Sequence, residues 1–592
     1  MNLPFSRFFS AVVIANFLTL ALMNLLQLPV YTAVFVYAGS VLAGLHLLSR
    51  LRLRSVRSPL DKTSLWIAIG ALVLLTVPRL VYALQWLPNT EVRVIGDDYA
   101  HLAELAAMVY SNSYPLRSPP SPDFLFSFYY ASFYPPAVIF MALPFLTLKD
   151  ALIAGNFFYH LLILFSIVEA GHLFFRGKWQ IRWFVFLLTF FSGLDWLTKP
   201  LQLTTTYEWW QKDFFAANTQ ISSFYTGMYW TVHHVVGFWA VVMAAVWLFY
   251  SYVPRFYRVR NRAGMRSGER AVVVTGDSTA PDLMPLPFPR FHVQGRWPKP
   301  LAISLLAAGA FYCSPFSVLA LPFFAVLHWR LIWRHVVRTW MFAYAAVLAA
   351  VPLFLFLHRQ AESALEPSTF RWQVTGDFWL DKLISLPVWL LLVPLVEFAG
   401  IPFLLLLVVR RMTPLDRRYF AMTVPFYLII YVAAFSNTGN FSMRGMFLPT
   451  FVLFYLFAKY SPALAARLGF REEGGLPGRG GASRKWLLGA LTALFVIAGS
   501  VGAFKMGGAM LNIGWLNTSV PYRMSGEPLP KELTYPYRDL VFDRSVTTYT
   551  PTDADRKGRA KYNVEKLMDG LPVADMSLWE RELMRYPRTG LY

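Results

Sequence analysis

Cysteine is nearly missing from this 592-residue chain. Cys313 stands alone, so no intrachain disulfide can form and a zinc site of the multi-cysteine kind is excluded. Charge is scarce too: 15% of residues are charged, against 56% hydrophobic and 17% aromatic. A soluble domain of that composition would expose far too much apolar surface, which leaves a polytopic membrane protein. The sequence contains no GxxxxGK[ST] loop, no dinucleotide-binding glycine fingerprint and no HExxH. ATP-driven work, soluble nucleotide binding and zinc-protease chemistry therefore lack support. No small-residue cleavage site directly follows "SRFFSAVVIANFLTLALMNLLQL", a stretch long enough to span, so signal-peptide processing is not expected. The absence of a long internal repeat weakens an inverted-repeat transporter.

What is present is a series of apolar segments separated by basic connections. The net charge of +21 in a soluble protein would raise nucleic acid as a partner. Here the cations fall in short connections, as cytoplasmic loops require, and no nucleic-acid partner is expected. Segments able to cross run at 8 to 28, 30 to 48, 64 to 86, 151 to 175, 182 to 196, 230 to 252, 300 to 313, 316 to 333, 338 to 357, 386 to 409, 418 to 435, 444 to 459 and 486 to 504, given that a helix needs ~20 residues for ~30 Å of hydrocarbon. The loop "RLRLRSVRSPLDK" places the N-terminus in the cytoplasm. "FRGKWQIR", "PRFYRVRNRAGMRSGER", "WRLIWRHVVR" and "RRMTPLDRR" also fall inside, provided "PPAVIFMALPFLTL" (135 to 148) does not cross.

The expectation is thus an all-α polytopic membrane protein of about thirteen transmembrane helices, with 135 to 148 as a re-entrant or surface helix. Residues 1–504 form the transmembrane domain. Within it, 87–134 is the first large exterior loop and 253–298 a disordered cytoplasmic loop; residues 505–592 form an exterior tail or small cap. Most acidic, amide and aromatic loop residues gather on the exterior face of the cytoplasmic membrane, so a chemical site is expected there.

In the first exterior loop, "VRVIGDDYAHLAELAAMVY" reads as a turn followed by a helix. With the helix beginning near Asp98, Asp97, His101 and Glu104 fall on one face at i, i+4 and i+7. Two readings fit that spacing. The face holds a divalent cation or positions one carboxylate as a base; or an aspartate caps the helix and the rest is solvated.

An acidic pair in an early exterior loop, then "YPP" (Tyr134, Pro135, Pro136), then further hydrophobic helices, resembles the GT-C superfamily of integral-membrane glycosyltransferases, such as protein mannosyltransferases and aminoarabinose transferases. The resemblance spans roughly the first 450 residues, with one departure: two apolar segments precede the acidic loop where those families commonly have one. It implies that Asp97 and Asp98 act as catalytic base or metal ligands. It also implies that a late exterior basic residue binds the phosphate of a polyprenyl-phosphate sugar donor. Arg444, in "NTGNFSMRGMFLP" with Asn440 beside it, occupies that place, and guanidinium geometry suits phosphate; an interfacial arginine snorkelling to membrane lipid headgroups is the plainer reading.

His101 and Glu104 are candidate partners orienting the aspartates. His233 and His234, in "MYWTVHHVVGFW", are candidate polar lining; adjacent helical positions diverge by about 100°, so at most one faces a given site. Asn218, Gln220 and Tyr225, in "FFAANTQISSFYTGMYW", offer amides and a ring for binding sugar. The resulting expectation is an inverting sugar transfer from the lipid-linked donor to an acceptor of glycan, lipid or protein type. A proton-coupled transporter or lipid flippase is the competing class.

Overall fold

The computed structural model describes residues 3–49, 51, 60–84, 101, 105, 108–109, 117–118, 121–125, 130–143, 145–146, 148–191, 224–252, 298–314, 326–328, 370–372, 390–391, 394–395, 398–435, 445–467 and 501. The described residues are mostly helical. In chain order they form α1 (Pro4–Leu25), α2 (Ala33–Ser49), α3 (Lys62–Leu84), β1 (Arg117–Ser118), β2 (Ser121–Leu125), α4 (Tyr134–Ala142), α5 (Leu148–Phe174), α6 (Lys178–Phe190), α7 (Phe224–Trp230), α8 (Val232–Tyr252), α9 (Pro298–Cys313), β3 (Phe370–Trp372), α10 (Ile401–Leu407), α11 (Pro414–Val432), β4 (Ala433–Phe435) and α12 (Phe447–Arg467).

Five described helices are long and apolar enough to cross a bilayer: Pro4–Leu25, Val30–Ser49, Lys62–Leu80, Asp150–Phe174 and Phe447–Arg467. They mark the chain as a membrane protein. Large apolar side chains such as Tyr31, Phe35, Leu42 and Trp66 lie exposed on α2, α3 and the turn before α2, as a lipid-facing surface requires. Helix α4 has nine residues, about 14 Å at ~1.5 Å per residue, less than half the hydrocarbon thickness.

Two short antiparallel ribbons interrupt the helical pattern. One pairs β1 with β2; the other pairs β3 with β4, with Phe370 opposite Phe435 and Trp372 opposite Ala433. Where sequence periodicity expected a crossing helix to continue to residue 435, helix α11 stops at Val432 and hands over to a strand. The β-branched and aromatic run "YVAAF" suits a strand once a partner is supplied from elsewhere in the chain.

Helix α1 sits at the centre, packed against α2, α5 and α9. Small residues let the backbones approach. A Cβ on Gly309 of α9 would come within 2.5 Å of the Val13 carbonyl oxygen, and one on Gly44 of α2 within 3.0 Å of that of Ala11, the small-residue contact that membrane helices favour.

The first turn of α1 has no side-chain cap of its own. Glu169, near the end of α5, supplies one: its carboxylate accepts from the backbone N–H groups of Phe5 (3.1 Å) and Ser6 (2.8 Å). A carboxylate satisfies the free N–H groups there and complements the positive end of the helix dipole.

The same end of the bundle carries two further locks. Asp61 caps α3 through Ser64 N and Oγ (both 3.0 Å) and receives a two-point contact from Arg182 of α6, Nε and Nη2 each at 3.0 Å. That contact holds the Asp61 carboxyl at about 2, below the usual carboxylate range, chiefly through the Arg182 hydrogen bonds. At the start of α11, Asp416 accepts from Thr413 Oγ1, Lys459 Nζ (both 2.8 Å) and Tyr460 OH (2.5 Å), tying α11 to α12. Gln180 Nε2 reaches the Lys459 carbonyl at 2.8 Å, which brings the start of α6 to the same place.

Candidate functional site

Toward the other end, the chain breaks between α7 and α8 at Thr231. A helix that stops leaves its last carbonyls without intrahelical partners. Two of them are met from neighbouring helices. Met228 O lies 2.7 Å from His160 Nε2 of α5, and Tyr229 O accepts from Arg79 Nη2 of α3 at 2.5 Å. Arg79 is only 3% exposed, and its guanidinium also lies over the Tyr229 ring, 5.4 Å from the centroid. A cation at the negative end of a helix is electrostatically favoured, and ring stacking adds to it.

The break sets the direction of the two histidines that follow. Their rings sit 3.9 Å apart by centroid and serve different partners. His233 meets the His101 ring edge-on at 4.9 Å and packs near Phe133 at 5.9 Å; His101 in turn lies 5.2 Å from Phe133. The Nδ1 atom of His234 lies 2.8 Å from Ser314 Oγ, just past the end of α9. All three imidazoles are buried. Gly237, one turn along α8, makes the last contact possible: a Cβ there would come within 2.6 Å of Ser314 Cβ and 2.9 Å of the Ala310 carbonyl oxygen.

Below this cluster runs a row of buried polar groups. Asn16 Nδ2 of α1 donates to Tyr159 OH (2.8 Å) and approaches Cys313 Sγ (3.8 Å), and Tyr159 OH donates to the Ser132 carbonyl (2.9 Å). Asn16 lies ten residues from Ser6, about 15 Å along α1, which puts the row near half the hydrocarbon depth. Among the described residues, Asn16 Oδ1, Tyr37 OH and Ser132 Oγ are buried without a hydrogen-bond partner. Burying such groups costs about 1–3 kcal/mol each when they stay unsatisfied.

Of the residues singled out in the sequence, the structure brings His101, His233 and His234 together. Tyr225 is buried on α7, its ring parallel to those of Phe190 (6.4 Å) and Tyr229 (6.5 Å). Asp97, Asp98, Glu104, Asn218, Gln220, Asn440 and Arg444 lie outside the described residues, as do 253–297 and 502–592. No three His, Cys, Asp or Glu side chains are spaced to hold a metal ion among the described residues, and the aspartate pair expected to hold one is not among them.

Sequence reasoning missed Arg79, His160, Asn16, Tyr159 and Ser314. The available signal was a polar or charged residue inside a run otherwise long and apolar enough to span, where such residues are costly and need a reason. Comparison with known proteins adds no family: no protein-family model, no curated protein and no solved structure matches this chain.

Proposed function

We propose that the protein is a membrane glycosyltransferase of GT-C type, with about thirteen crossings, that moves a sugar from a polyprenyl-phosphate donor to an acceptor at the outer face of the cytoplasmic membrane. The observation that carries this reading is the packing of the buried His101 ring against His233, with His234 beside it, next to the α7–α8 break. His101 follows Asp98 by three residues, and three residues of extended chain reach at most about 11 Å. Buried imidazole donors and acceptors within an apolar bundle suit a hydroxyl-rich substrate held away from bulk water.

In this mechanism Asp97 or Asp98 removes the proton of the acceptor hydroxyl, whose oxygen attacks the anomeric carbon as the bond to the donor phosphate breaks. The phosphate leaves on the face opposite the attack, and the anomeric centre inverts. Arg444 takes the charge developing on the leaving phosphate. The imidazoles supply hydrogen bonds that fix the acceptor. A lipid-carried donor accords with a sequence lacking nucleotide-binding loops. The N-terminus is cytoplasmic and the C-terminal tail exterior in this reading.

The competing transporter or flippase reading draws on Arg79, His160 and Asn16, which are polar groups buried within helices instead of lying in exterior loops. One experiment separates the two. Transfer of radiolabelled sugar from membrane-embedded polyprenyl-phosphate donors is measured for the wild type and for an Asp97→Asn, Asp98→Asn double variant that still inserts. Loss of transfer in the variant alone supports the transferase. Equal counts in both, across donors of several sugars, sink the assignment of the base and favour transport.

A further inference from the structure

Among the described residues, the basic end of the bundle holds more exposed positive charge than the carboxylates beside it meet. Two corners contribute: Arg176 and Lys178 at the α5–α6 turn and start of α6, and Arg410 and Arg411 between α10 and α11 with Arg417 and Arg418 in the first turns of α11. All six are exposed. None makes an ion pair or side-chain hydrogen bond among the described residues, because the acidic groups nearby are already engaged. Asp61 is held by Arg182 and Ser64, Asp416 by Lys459, Tyr460 and Thr413, and Glu169 by the first turn of α1.

The corners belong to one surface. Gln180, two residues past Lys178, bonds the carbonyl of Lys459, and the ammonium of that same lysine bonds Asp416, next to Arg417. The two corners are therefore joined at one end of the bundle through Gln180, Lys459 and Asp416.

Apolar groups border the cations. Trp179, 48% exposed, directly follows Lys178 in sequence and packs edge-on against Trp183 at 5.5 Å. Leu406 and Leu407 are exposed at the end of α10, separated from Arg410 by Val408 and Val409. An indole and two leucines beside a band of guanidinium groups match the border between acyl chains and headgroups, where tryptophan concentrates and arginine reaches outward.

We infer that this two-cornered surface binds anionic phospholipid headgroups of the adjoining leaflet, the phosphates contacting the six cations while Trp179, Leu406 and Leu407 enter the acyl region. A zwitterionic headgroup carries its own amine and leaves the excess positive charge unanswered; a headgroup with net negative charge does not. The inference is independent of the sugar-transfer reading, since it involves the opposite end of the bundle and requires no catalysis.

The test uses the full-length chain reconstituted in nanodiscs of equal parts phosphatidylglycerol and phosphatidylcholine. Lipids retained after gentle detergent extraction are counted by native mass spectrometry. Wild type is expected to retain phosphatidylglycerol preferentially. The variant Arg176→Gln, Lys178→Gln, Arg410→Gln, Arg411→Gln is expected to lower that preference more than tenfold, since each cation near such a surface is worth about fivefold. Equal retention of the two lipids by wild type overturns the inference, and so does undiminished preference in the variant.

If the variant does not fold, wild type alone decides through salt. Preference that falls as ionic strength rises supports headgroup binding, and preference unchanged by salt overturns it. Polyglutamate that binds the solubilised protein more tightly than phosphatidylglycerol, and displaces it, would make the surface a docking site for an acidic protein segment and end the lipid reading.

Discussion

Asp61 joins three elements through one carboxylate: it caps α3, pairs with Arg182 of α6, and its backbone N–H donates to His172 Nε2 of α5 at 2.9 Å. Because the folded-state carboxyl is held at about 2, below its unfolded value, its contribution is complete above pH ~4 and is lost as pH falls through about 2. Asp61→Asn is therefore expected to lower thermal stability of the solubilised protein at neutral pH and to have little further effect near pH 2. The cost is about 1–2 kcal/mol; the low side applies because the Arg182 side chain is 36% exposed and solvent screens the pair. An unchanged unfolding temperature at neutral pH would show that the pair contributes nothing. At the other end, His101→Ala removes one ring of the imidazole cluster without touching a helix cap. Under the transferase reading it is expected to reduce sugar transfer per folded molecule at least about tenfold and, because the ring is buried and packed, to lower the unfolding temperature as well; full activity would remove His101 from the site.

Elements were legible in the sequence where an apolar run was long, and less so where a helix end depends on a distant residue. The runs at 8 to 28, 30 to 48 and 64 to 86 correspond to helices Pro4–Leu25, Ala33–Ser49 and Lys62–Leu84. The first begins four residues early because Glu169, far along the chain, caps "PFSR". Helix α12 continues through "AKYSPALAAR" to Arg467 instead of stopping at 459. Lys459 and Tyr460 are sheltered there by Asp416, which no local pattern reveals. The β3–β4 ribbon was invisible for the same reason, since each strand has three residues and its partner is remote.

The histidines were legible as polar residues, but their convergence was not, because it depends on a helix break held from outside by Arg79 and His160. Two element-scale predictions follow from the glycines. Gly237→Val places a branched side chain against Ser314 and Ala310 and should part α8 from α9. The His234–Ser314 contact should be lost at a cost of about 1–3 kcal/mol, readable as a lowered unfolding temperature. Gly309→Leu drives a side chain into the Val13 backbone at the α1–α9 crossing and should be worse, lowering the yield of folded protein. Wild-type unfolding in either variant would mean that the helices can slide apart freely.

Across the whole molecule the two ends differ in kind. Among the described residues, one end is closed by carboxylates already committed to caps and ion pairs and faces outward with cations that make no ion pair. The other gathers imidazoles, hydroxyls and one shielded guanidinium in the interior. Composition announced the membrane and the basic connections announced an asymmetric distribution of charge. Which polar groups meet inside could not be read from single segments, because each partner comes from a different helix. The asymmetry predicts unequal responses to salt: raising ionic strength should weaken lipid retention at the basic end while leaving the buried Asn16–Tyr159–Ser132 row intact, since screening acts on exposed charge. Comparable loss of both, followed by lipid counting and by tyrosine fluorescence, would contradict that division.

The cap on α1 also bears on how the protein is made. The amide groups of Phe5 and Ser6 wait on a carboxylate more than 160 residues later in the chain. During synthesis the first helix enters the bilayer with its leading turn unsatisfied, and remains so until α5 has been threaded beside it. Helix α1 is thus translated before the residue that caps it and settles only afterwards, and a chain arrested before Glu169 is translated should hold α1 in the membrane with a frayed start.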